Sequence, residues 1–236
     1  MIRTIFFFFT VGLLAVLLLP AALYARYIAK DGRAVVEYLL GKLWWIVLGA
    51  AGVTYETRGL ENLPEGPALY VGNHQSIFDI FVILVGMGPA KGFIAKKELS
   101  KIPIAHLWLE ALGCIYIDRG DLRASLATMK QAEEKLKNGQ SMIVFPEGTR
   151  SRGPEMGEFK HGAIRCALKA GVPIVPFALD NCYKAYEETG RITPTHIKIS
   201  ILPPVATDAP GLKTPELCDE LRSQIAAELE ELRREE

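Results

Sequence analysis

Short apolar runs alternate with helix-like stretches from residue 66 to the end of the chain. Six runs rich in β-branched and aromatic residues are predicted strands, over residues 67–72, 92–95, 114–118, 142–145, 174–179 and 196–202. The first five show little alternation of apolar and polar residues, which is typical of strands buried on both faces. Because strands that alternate with helices build layered domains, the sequence predicts an α/β fold with a largely parallel central sheet flanked by helices.

Helix signals lie between and after the predicted strands. Asp121 is placed to cap a helix that Gly139 ends, and a shorter helix over residues 161–171 also ends in glycine. Thr214 and Pro215 are typical of a cap and a first helical residue, and leucines follow them on one face of the C-terminal segment. These helices supply outer layers for the predicted sheet.

The N-terminal fifth of the chain has a different character. Residues 5–25 carry no charge, and a helix of these 21 residues would be about 31 Å long, close to the hydrocarbon thickness of a bilayer. A second apolar stretch, residues 34–53, is interrupted by two charges and contains Trp44 and Trp45, which favour the headgroup region. The two stretches predict a two-helix hairpin that enters the membrane and returns.

This pattern divides the chain into an N-terminal membrane-associated segment, residues 1–54, and an α/β domain, residues 55–236. Two alternatives stay open. The first is one membrane-spanning helix followed by a core helix of the α/β domain. The second is a cleaved signal peptide, which the length of the apolar run and the lack of a small-x-small cleavage site disfavour.

The overall charge excludes one broad class of partner. The chain has 27 basic and 27 acidic side chains, so its formal net charge is zero and it lacks the basic field that non-specific nucleic-acid binding needs. Its four cysteines form no CxxC pair and have no histidine at metal-ligand spacing. We therefore expect buried, reduced thiols on the cytoplasmic side, and no nucleic-acid partner.

The first candidate for chemistry is the segment NHQSIFD, residues 73–79, directly after a predicted strand. His74 falls in the turn after the strand, and Asp79 falls in the first turn of the next helix, from which its carboxylate can meet the imidazole. A histidine held by a carboxylate can serve as a general base. The alternative is a capping arrangement in which Ser76 and Asp79 stabilise the helix start and His74 is solvated.

A second candidate, FPEGTRSR, follows the predicted strand that ends at residue 145. Its proline and Gly148 force a tight loop, which is expected to expose Glu147, Thr149 and Arg150 at the edge where ligands of α/β sheets usually bind. The planar guanidinium of Arg150 suits phosphate oxygens. A solvated turn without a ligand is the alternative.

Two more strand ends bring positive charge to the same edge. The segment GCIYIDR delivers Arg119, and Lys96 and Lys97 follow the segment FIA. Taken alone, Arg119 could pair with Asp118 or Asp121 in a purely structural role. Because the carboxyl ends of parallel strands share one edge of a sheet, the four segments together predict a general base beside an anion-binding pocket.

Three common motifs are missing from the sequence. It contains no GxSxG elbow, no GxGxxG at a helix start and no GxxxxGK[ST] loop. Assignment of this chain to the serine hydrolases, dinucleotide oxidoreductases or nucleotide kinases therefore lacks the motif that would mainly support it.

The four segments together resemble the sequence blocks of the glycerolipid acyltransferase family, and within it those of the membrane-associated 1-acyl-sn-glycerol-3-phosphate acyltransferases. NHQSIFD resembles the NHxxxxD block, GCIYIDR the second block, FPEGTRS the EGTR block and VPIVPFA the proline-containing fourth block. All four occur in the family's order over roughly residues 66–180, and Lys160 stands where the family often has FKxGA. The predicted N-terminal hairpin also fits this family.

The resemblance implies transfer of a fatty acyl group from acyl-CoA or an acyl carrier protein to the sn-2 hydroxyl of lysophosphatidic acid, which gives phosphatidic acid. His74 would be the base, and Asp79 would orient it. The implied acceptor-binding residues are Glu147, Gly148, Thr149, Arg150, Arg119 and Lys96, with Arg150 as the main phosphate ligand. The thioester is a co-substrate, and no acyl-enzyme, cofactor or metal is implied.

The lipid substrate and product imply contact with membrane lipids, at an inner or cytoplasmic membrane with the catalytic domain facing the cytoplasm. One alternative within the family is another acceptor, such as glycerol 3-phosphate, a different lysophospholipid or a lyso-aminolipid. An alternative from another class is a membrane-anchored lipid hydrolase or lipid-binding module in which His74 is structural. The donor type and the preferred chain length stay open.

Overall fold

A computed structural model describes residues 1–28, 32–88, 91–208 and 211–235, and within these ranges the chain forms one seven-stranded sheet. The strands are β1 (Val53–Arg58), β2 (Leu69–Gly72), β3 (Gly92–Lys96), β4 (Ile115–Ile117), β5 (Met142–Val144), β6 (Ile174–Asp180) and β7 (Thr195–Ile201). Their order across the sheet is β1-β7-β6-β2-β5-β3-β4. All six predicted strands are present, each within two residues of the predicted bounds.

Most neighbouring strands are parallel, as the sequence predicts. β2 pairs with β5 and β6, β3 pairs with β4 and β5, and β1 pairs with β7, all in parallel. Among the strand pairs that the structure describes, β6 with β7 is the antiparallel one. The strands β6, β2, β5, β3 and β4 therefore end at one edge of the sheet, whereas β7 and β1 run the opposite way.

The strand β1 is absent from the sequence-based prediction. It begins two residues after a helix and pairs with β7 along all six of its residues, at one side of the sheet. Its sequence, VTYETR, carries polar side chains, and most of its positions are half-buried or exposed. An edge strand of this kind lacks the apolar run that marks the buried strands.

Helices cover both faces of the sheet. They are α1 (Ile2–Leu17), α2 (Leu19–Tyr27), α3 (Gly32–Ala51), α4 (Phe78–Gly86), α5 (Pro103–Ala111), α6 (Leu122–Lys137), α7 (Arg165–Ala170) and α8 (Thr214–Arg234). Asp121 caps α6 as predicted, because its carboxylate accepts hydrogen bonds from the amides of Arg123 and Ala124. The cap predicted at Thr214 is wrong: Thr214 is already helical, and no side chain caps α8.

Two apolar cores lie on opposite faces of the sheet. One contains residues of α1 to α4, with Phe78 and Phe177 among its fully buried side chains. The other contains residues of α6, α7 and α8, with Leu136 and Leu221 fully buried. The four cysteines are free and buried in these cores, as expected.

The predicted helix over residues 5–25 is wrong as a single element. The helix α1 ends at Leu17, and α2 begins at Leu19 with Pro20 in its first turn. Proline lacks an amide hydrogen and is favoured in a first helical turn, so it starts a new helix here. Instead of a hairpin of two long helices, the described N-terminal residues form α1, α2 and α3. Within the described ranges, no helix combines the length and apolar character needed to cross a membrane.

The N-terminal helices pack on α4. Phe7 of α1 packs against Phe78 and Phe81 of α4, with ring centroids 5.4 and 6.4 Å away, and Trp44 of α3 stacks on Phe81 at 3.9 Å. Trp44 is 9% exposed, whereas Trp45 is 64% exposed. The prediction that both tryptophans face the headgroup region is therefore wrong for Trp44, which belongs to the core.

Candidate active site

The predicted site residues lie at one edge of the sheet. His74 follows β2, the loop with Glu147 to Arg150 follows β5, Lys96 ends β3, and Arg119 follows β4. These four strands are parallel and adjacent in the order β2-β5-β3-β4. The topology therefore delivers all four predicted segments to the same side of the molecule.

His74 and Asp79 form a direct pair. The imidazole Nδ1 lies 2.6 Å from Asp79 Oδ2, and the Asp79 side chain is fully buried. The same oxygen accepts hydrogen bonds from the amides of Gln75, at 2.8 Å, and Ser76, at 2.9 Å. Because a carboxylate only accepts, Nδ1 carries the hydrogen, and in the neutral imidazole Nε2 presents its lone pair. The imidazole also stacks on Phe145, with centroids 4.1 Å apart.

The capping alternative holds in part. Ser76 Oγ accepts a hydrogen bond from the Phe78 amide, and Asp79 binds two amides just before α4. However, His74 is bonded to Asp79 and is only 14% exposed, so the solvated histidine of that alternative is wrong. The same turn both starts the helix and holds the imidazole.

Asn73 and Gln75, inside the same block, anchor this turn. The side-chain amide of Asn73 donates to the Leu179 carbonyl and accepts from the Leu179 amide, both at 2.8 Å. It thereby extends the pairing of β2 with β6 past the end of β2. Gln75 Oε1 accepts from the Cys182 amide at 3.1 Å. The sequence block contains both residues, but their roles follow only from contacts with β6 and the segment directly after it.

Glu147 is buried, so its predicted exposure is wrong. Its Oε1 accepts a hydrogen bond from the His74 amide at 2.7 Å, and its Oε2 accepts one from the Gly157 amide at 2.8 Å. Burial raises the pKa of Glu147, and these two amides partly offset that rise. The carboxylate therefore ties the backbone of His74 to the loop after β5. Its role in substrate binding stays a prediction.

The rest of this loop lies against the His74 turn. The amide of Ser151 donates to the His74 carbonyl at 2.8 Å, and the amide of Arg152 donates to the Gln75 carbonyl at 3.2 Å. Gly148 has a φ of 71°, which favours glycine, and a Cβ there would lie 2.9 Å from Lys160 Nζ, so the lysine side chain would have to shift. Lys160 thus brings its ammonium against the loop. Thr149 is exposed.

Arg150 is held by a residue that the sequence did not suggest. Its Nη1 donates to Glu187 Oε1 at 2.8 Å, and the Glu187 side chain is only 4% exposed. Glu187 also accepts from the Ile77 amide at 2.9 Å and from the Ser76 hydroxyl. It lies 37 residues after Arg150, outside the four blocks, so no local motif marks it.

Arg119 and Lys96 are held more loosely. Lys96 is exposed and pairs with Glu98 at 3.1 Å, while Asp118 pairs with Lys97. Arg119 makes no hydrogen bond or ion pair with any residue in the described ranges, so pairing with Asp118 or Asp121 is not seen there. Partial desolvation lowers the pKa of Arg119; Glu98 raises it, and the positive charge of Arg150 lowers it. The positive charge of Arg150 is thus near enough to act on the Arg119 guanidinium.

The described residues contain no group of three or more histidine, cysteine, aspartate or glutamate side chains that could hold a metal. The predicted independence of metals and cofactors stays a prediction.

Comparison with known proteins places this site in a family. The Acyltransferase family model matches residues 54–180, more than half of the chain, so the chain belongs to the Acyltransferase family. This span contains His74, Asp79, Arg119 and Arg150. The resemblance carried by the four sequence blocks is thereby confirmed.

Similar proteins within the family are more specific. The 1-acyl-sn-glycerol-3-phosphate acyltransferase of Pseudomonas aeruginosa is 36% identical over 186 residues, which cover 75% of this chain and 70% of that protein. A chloroplastic 1-acyl-sn-glycerol-3-phosphate acyltransferase of Arabidopsis thaliana is 33% identical, over 97% of this chain. The chain spans 65% of the length of this plant relative and 58% of one from Brassica napus.

A solved structure extends the likeness to the whole fold. The crystal structure of the 1-acyl-sn-glycerophosphate (LPA) acyltransferase PlsC from Thermotoga maritima superposes with a TM-score of 0.85 at 28% identity. The match covers 98% of this chain and 96% of that chain. It therefore includes the N-terminal helices as well as the sheet.

Proposed function

We propose that this chain transfers a fatty acyl group from a water-soluble acyl thioester to the sn-2 hydroxyl of 1-acyl-sn-glycerol 3-phosphate. The observation that carries the proposal is the His74–Asp79 pair, at 2.6 Å, beside Arg150 at the same sheet edge. The relatives named as 1-acyl-sn-glycerol-3-phosphate acyltransferases support this choice of acceptor. The product would be phosphatidic acid, and the chain would act in phospholipid biosynthesis.

The proposed chemistry starts at His74 Nε2. This nitrogen accepts the proton of the acceptor hydroxyl while the hydroxyl oxygen attacks the carbonyl carbon of the thioester. Asp79 keeps the other nitrogen protonated and stabilises the imidazolium that forms. The carbon–sulfur bond then breaks, and the imidazolium returns the proton to the departing thiolate. The acceptor is the nucleophile, so the reaction forms no acyl-enzyme and uses no cofactor or metal.

The acceptor phosphate would bind the cations at the edge of the site. Arg150 is the main ligand, because a guanidinium can bind two phosphate oxygens at once. Arg119 feels the charge of Arg150 and adds a second positive charge to the site. Lys96 adds a third at the end of β3, the strand next to β4. Thr149 brings a backbone amide and a hydroxyl into the same loop, and Gly148, whose amide donates to the Phe145 carbonyl, shapes the turn that presents them. Glu147 acts through this loop, since its oxygens accept backbone amides.

The N-terminal helices would hold the enzyme at an inner or cytoplasmic membrane, with the catalytic domain facing the cytoplasm. Ile2, Ile5, Phe6, Phe9 and Leu17 of α1 are all more than half exposed. An apolar surface of this kind favours insertion into the membrane interface rather than ionic attachment. The protein should therefore stay in the membrane fraction through a high-salt wash and be released by detergent; release by salt alone would contradict this proposal.

The experiment that tests the function is a matrix of acceptors and donors with purified protein. The acceptors are lysophosphatidic acid, glycerol 3-phosphate, another lysophospholipid and a lyso-aminolipid, each offered with acyl-CoA and with acyl carrier protein. We expect a two-chain phosphatidic acid as the product. Free fatty acid as the main product would instead favour a hydrolase, and preference for another acceptor would replace lysophosphatidic acid while keeping acyl transfer.

A further inference from the structure

A buried carboxylate links the two functional parts of the site. Glu187 lies in the segment between β6 and β7, and its side chain is 4% exposed. Its Oε1 accepts from the Arg150 guanidinium at 2.8 Å and from the Ile77 amide at 2.9 Å. Its Oε2 accepts from the Ser76 hydroxyl. Three donors from two different loops thus meet on one carboxylate.

These bonds continue as far as the imidazole. The amide of Ser76 donates to Asp79 Oδ2, the oxygen that accepts from His74 Nδ1. A continuous path of hydrogen bonds therefore runs from Arg150 through Glu187, Ser76 and Asp79 to His74. Both ends of the path are groups that the proposed function assigns to a single acceptor molecule.

We propose that Glu187 is a positioning residue for the acceptor. It holds one edge of the Arg150 guanidinium and the start of α4. The distance between Arg150, which binds the phosphate, and His74, which is the base, is therefore set before the substrate arrives. A long arginine side chain that is already ordered loses less freedom on binding, which strengthens the interaction with the phosphate. This inference rests on the proposed function, in which Arg150 binds the acceptor phosphate.

The negative charge of Glu187 weakens phosphate binding, whereas its positioning of Arg150 strengthens it, because a carboxylate near the site repels a phosphate. A test of positioning must therefore keep this charge constant. Glu187→Asp does so while shortening the side chain by one methylene, which leaves it too short to reach Arg150, Ile77 and Ser76 together. Glu188→Asp, at the adjacent exposed position, is the matched control.

The experiment measures KM for lysophosphatidic acid, KM for the acyl thioester, and kcat. We expect Glu187→Asp to raise the acceptor KM about tenfold, in line with the loss of one pre-ordered side chain, and to change the donor KM by less than about twofold. Glu188→Asp should match the wild type. Equal changes in both KM values, or an acceptor KM within about twofold of wild type, would overturn the positioning role.

The same substitution in an Arg150→Ala background separates positioning from general stability. If Glu187 acts through Arg150, adding Glu187→Asp there should change the acceptor KM by less than about twofold, whereas independent effects would multiply and overturn the inference. If Arg150→Ala itself leaves the acceptor KM unchanged, the proposed role of Arg150 fails, and the inference about Glu187 fails with it. Should Glu187→Asp not fold, Glu187→Gln enters the same cycle. Its loss of charge then acts in both backgrounds and cancels, so a larger increase in acceptor KM with Arg150 present than without it is the expected result, and equal changes in the two backgrounds would overturn the inference.

Discussion

The two sides of the candidate site differ in how firmly their functional groups are held. On the β2 and β5 side, His74, Asp79 and Arg150 each have a buried partner or are buried themselves. On the β3 and β4 side, Lys96 is exposed and Arg119 has no bonded partner among the described residues. The sequence predicts all of these residues at one edge, but the structure separates an ordered part from a loose one. We expect the ordered part to carry most of the catalytic effect.

The largest expected effect is the loss of the base. His74→Ala should lower kcat by about 10²- to 10⁴-fold without unfolding the protein, because a general base contributes that much and His74 lies at the edge of the core. Asp79→Asn should be nearly as severe, since it removes the group that sets the imidazole tautomer. Activity assays together with thermal unfolding check both variants. A folded His74→Ala enzyme that keeps more than about a tenth of wild-type turnover would contradict the assignment.

Glu147 offers a second test of the ordered side. Glu147→Gln keeps the shape of the side chain, but its NH2 group must face either the His74 amide or the Gly157 amide, both of which are donors. We expect kcat to fall about 10- to 100-fold through displacement of the His74 turn. Glu158→Gln in the same loop, with a side chain that is 94% exposed, is the control and should leave kcat unchanged. Similar kcat values for both variants would mean that Glu147 does not position His74.

Arg150 should control the affinity for the acceptor. Removing its guanidinium in Arg150→Ala is expected to raise the KM for lysophosphatidic acid about 30-fold, the effect of losing a charge-assisted bond, with a much smaller effect on the thioester KM. Arg150→Lys should restore only part of the loss, because an ammonium cannot reproduce the bidentate fork. Steady-state kinetics with each substrate varied in turn gives both constants. If both KM values rise equally, the loop has a structural role instead.

The smallest effects are expected on the loose side. Arg119→Ala and Lys96→Ala should each raise the acceptor KM by only about threefold, because exposed charges are screened and their side chains are not ordered in advance. These increases should shrink further at high ionic strength, whereas the Arg150→Ala effect should persist. An increase in acceptor KM for Arg119→Ala as large as that for Arg150→Ala would remove the distinction between the two sides.

Local patterns predict the parts of this molecule that depend on neighbours in sequence. The buried strands, the Asp121 cap and the His74–Asp79 pair all follow from residues within a few positions of one another. β1, Glu187 and the amide partners of Glu147 depend on contacts with distant segments, so no short window contains the signal. The wrong prediction of a single helix over residues 5–25 has another cause. The absence of charged residues sets the length of the predicted helix, and this criterion gives too little weight to Pro20, near which one helix ends and the next begins.

The packing of Phe7 and Trp44 on α4 has a practical consequence for protein preparation. Trimming the N-terminal helices is a common route to a water-soluble fragment of a lipid enzyme. Here such a deletion would uncover Phe78 and Phe81, the two rings of α4 on which Phe7 and Trp44 pack in the intact chain. The trimmed protein would lose the exposed apolar surface of α1 but expose an apolar surface of α4 instead. The deletion would also loosen α4, whose first turn contains Asp79. Point substitutions at the outward-facing residues of α1 are the better choice for improving solubility.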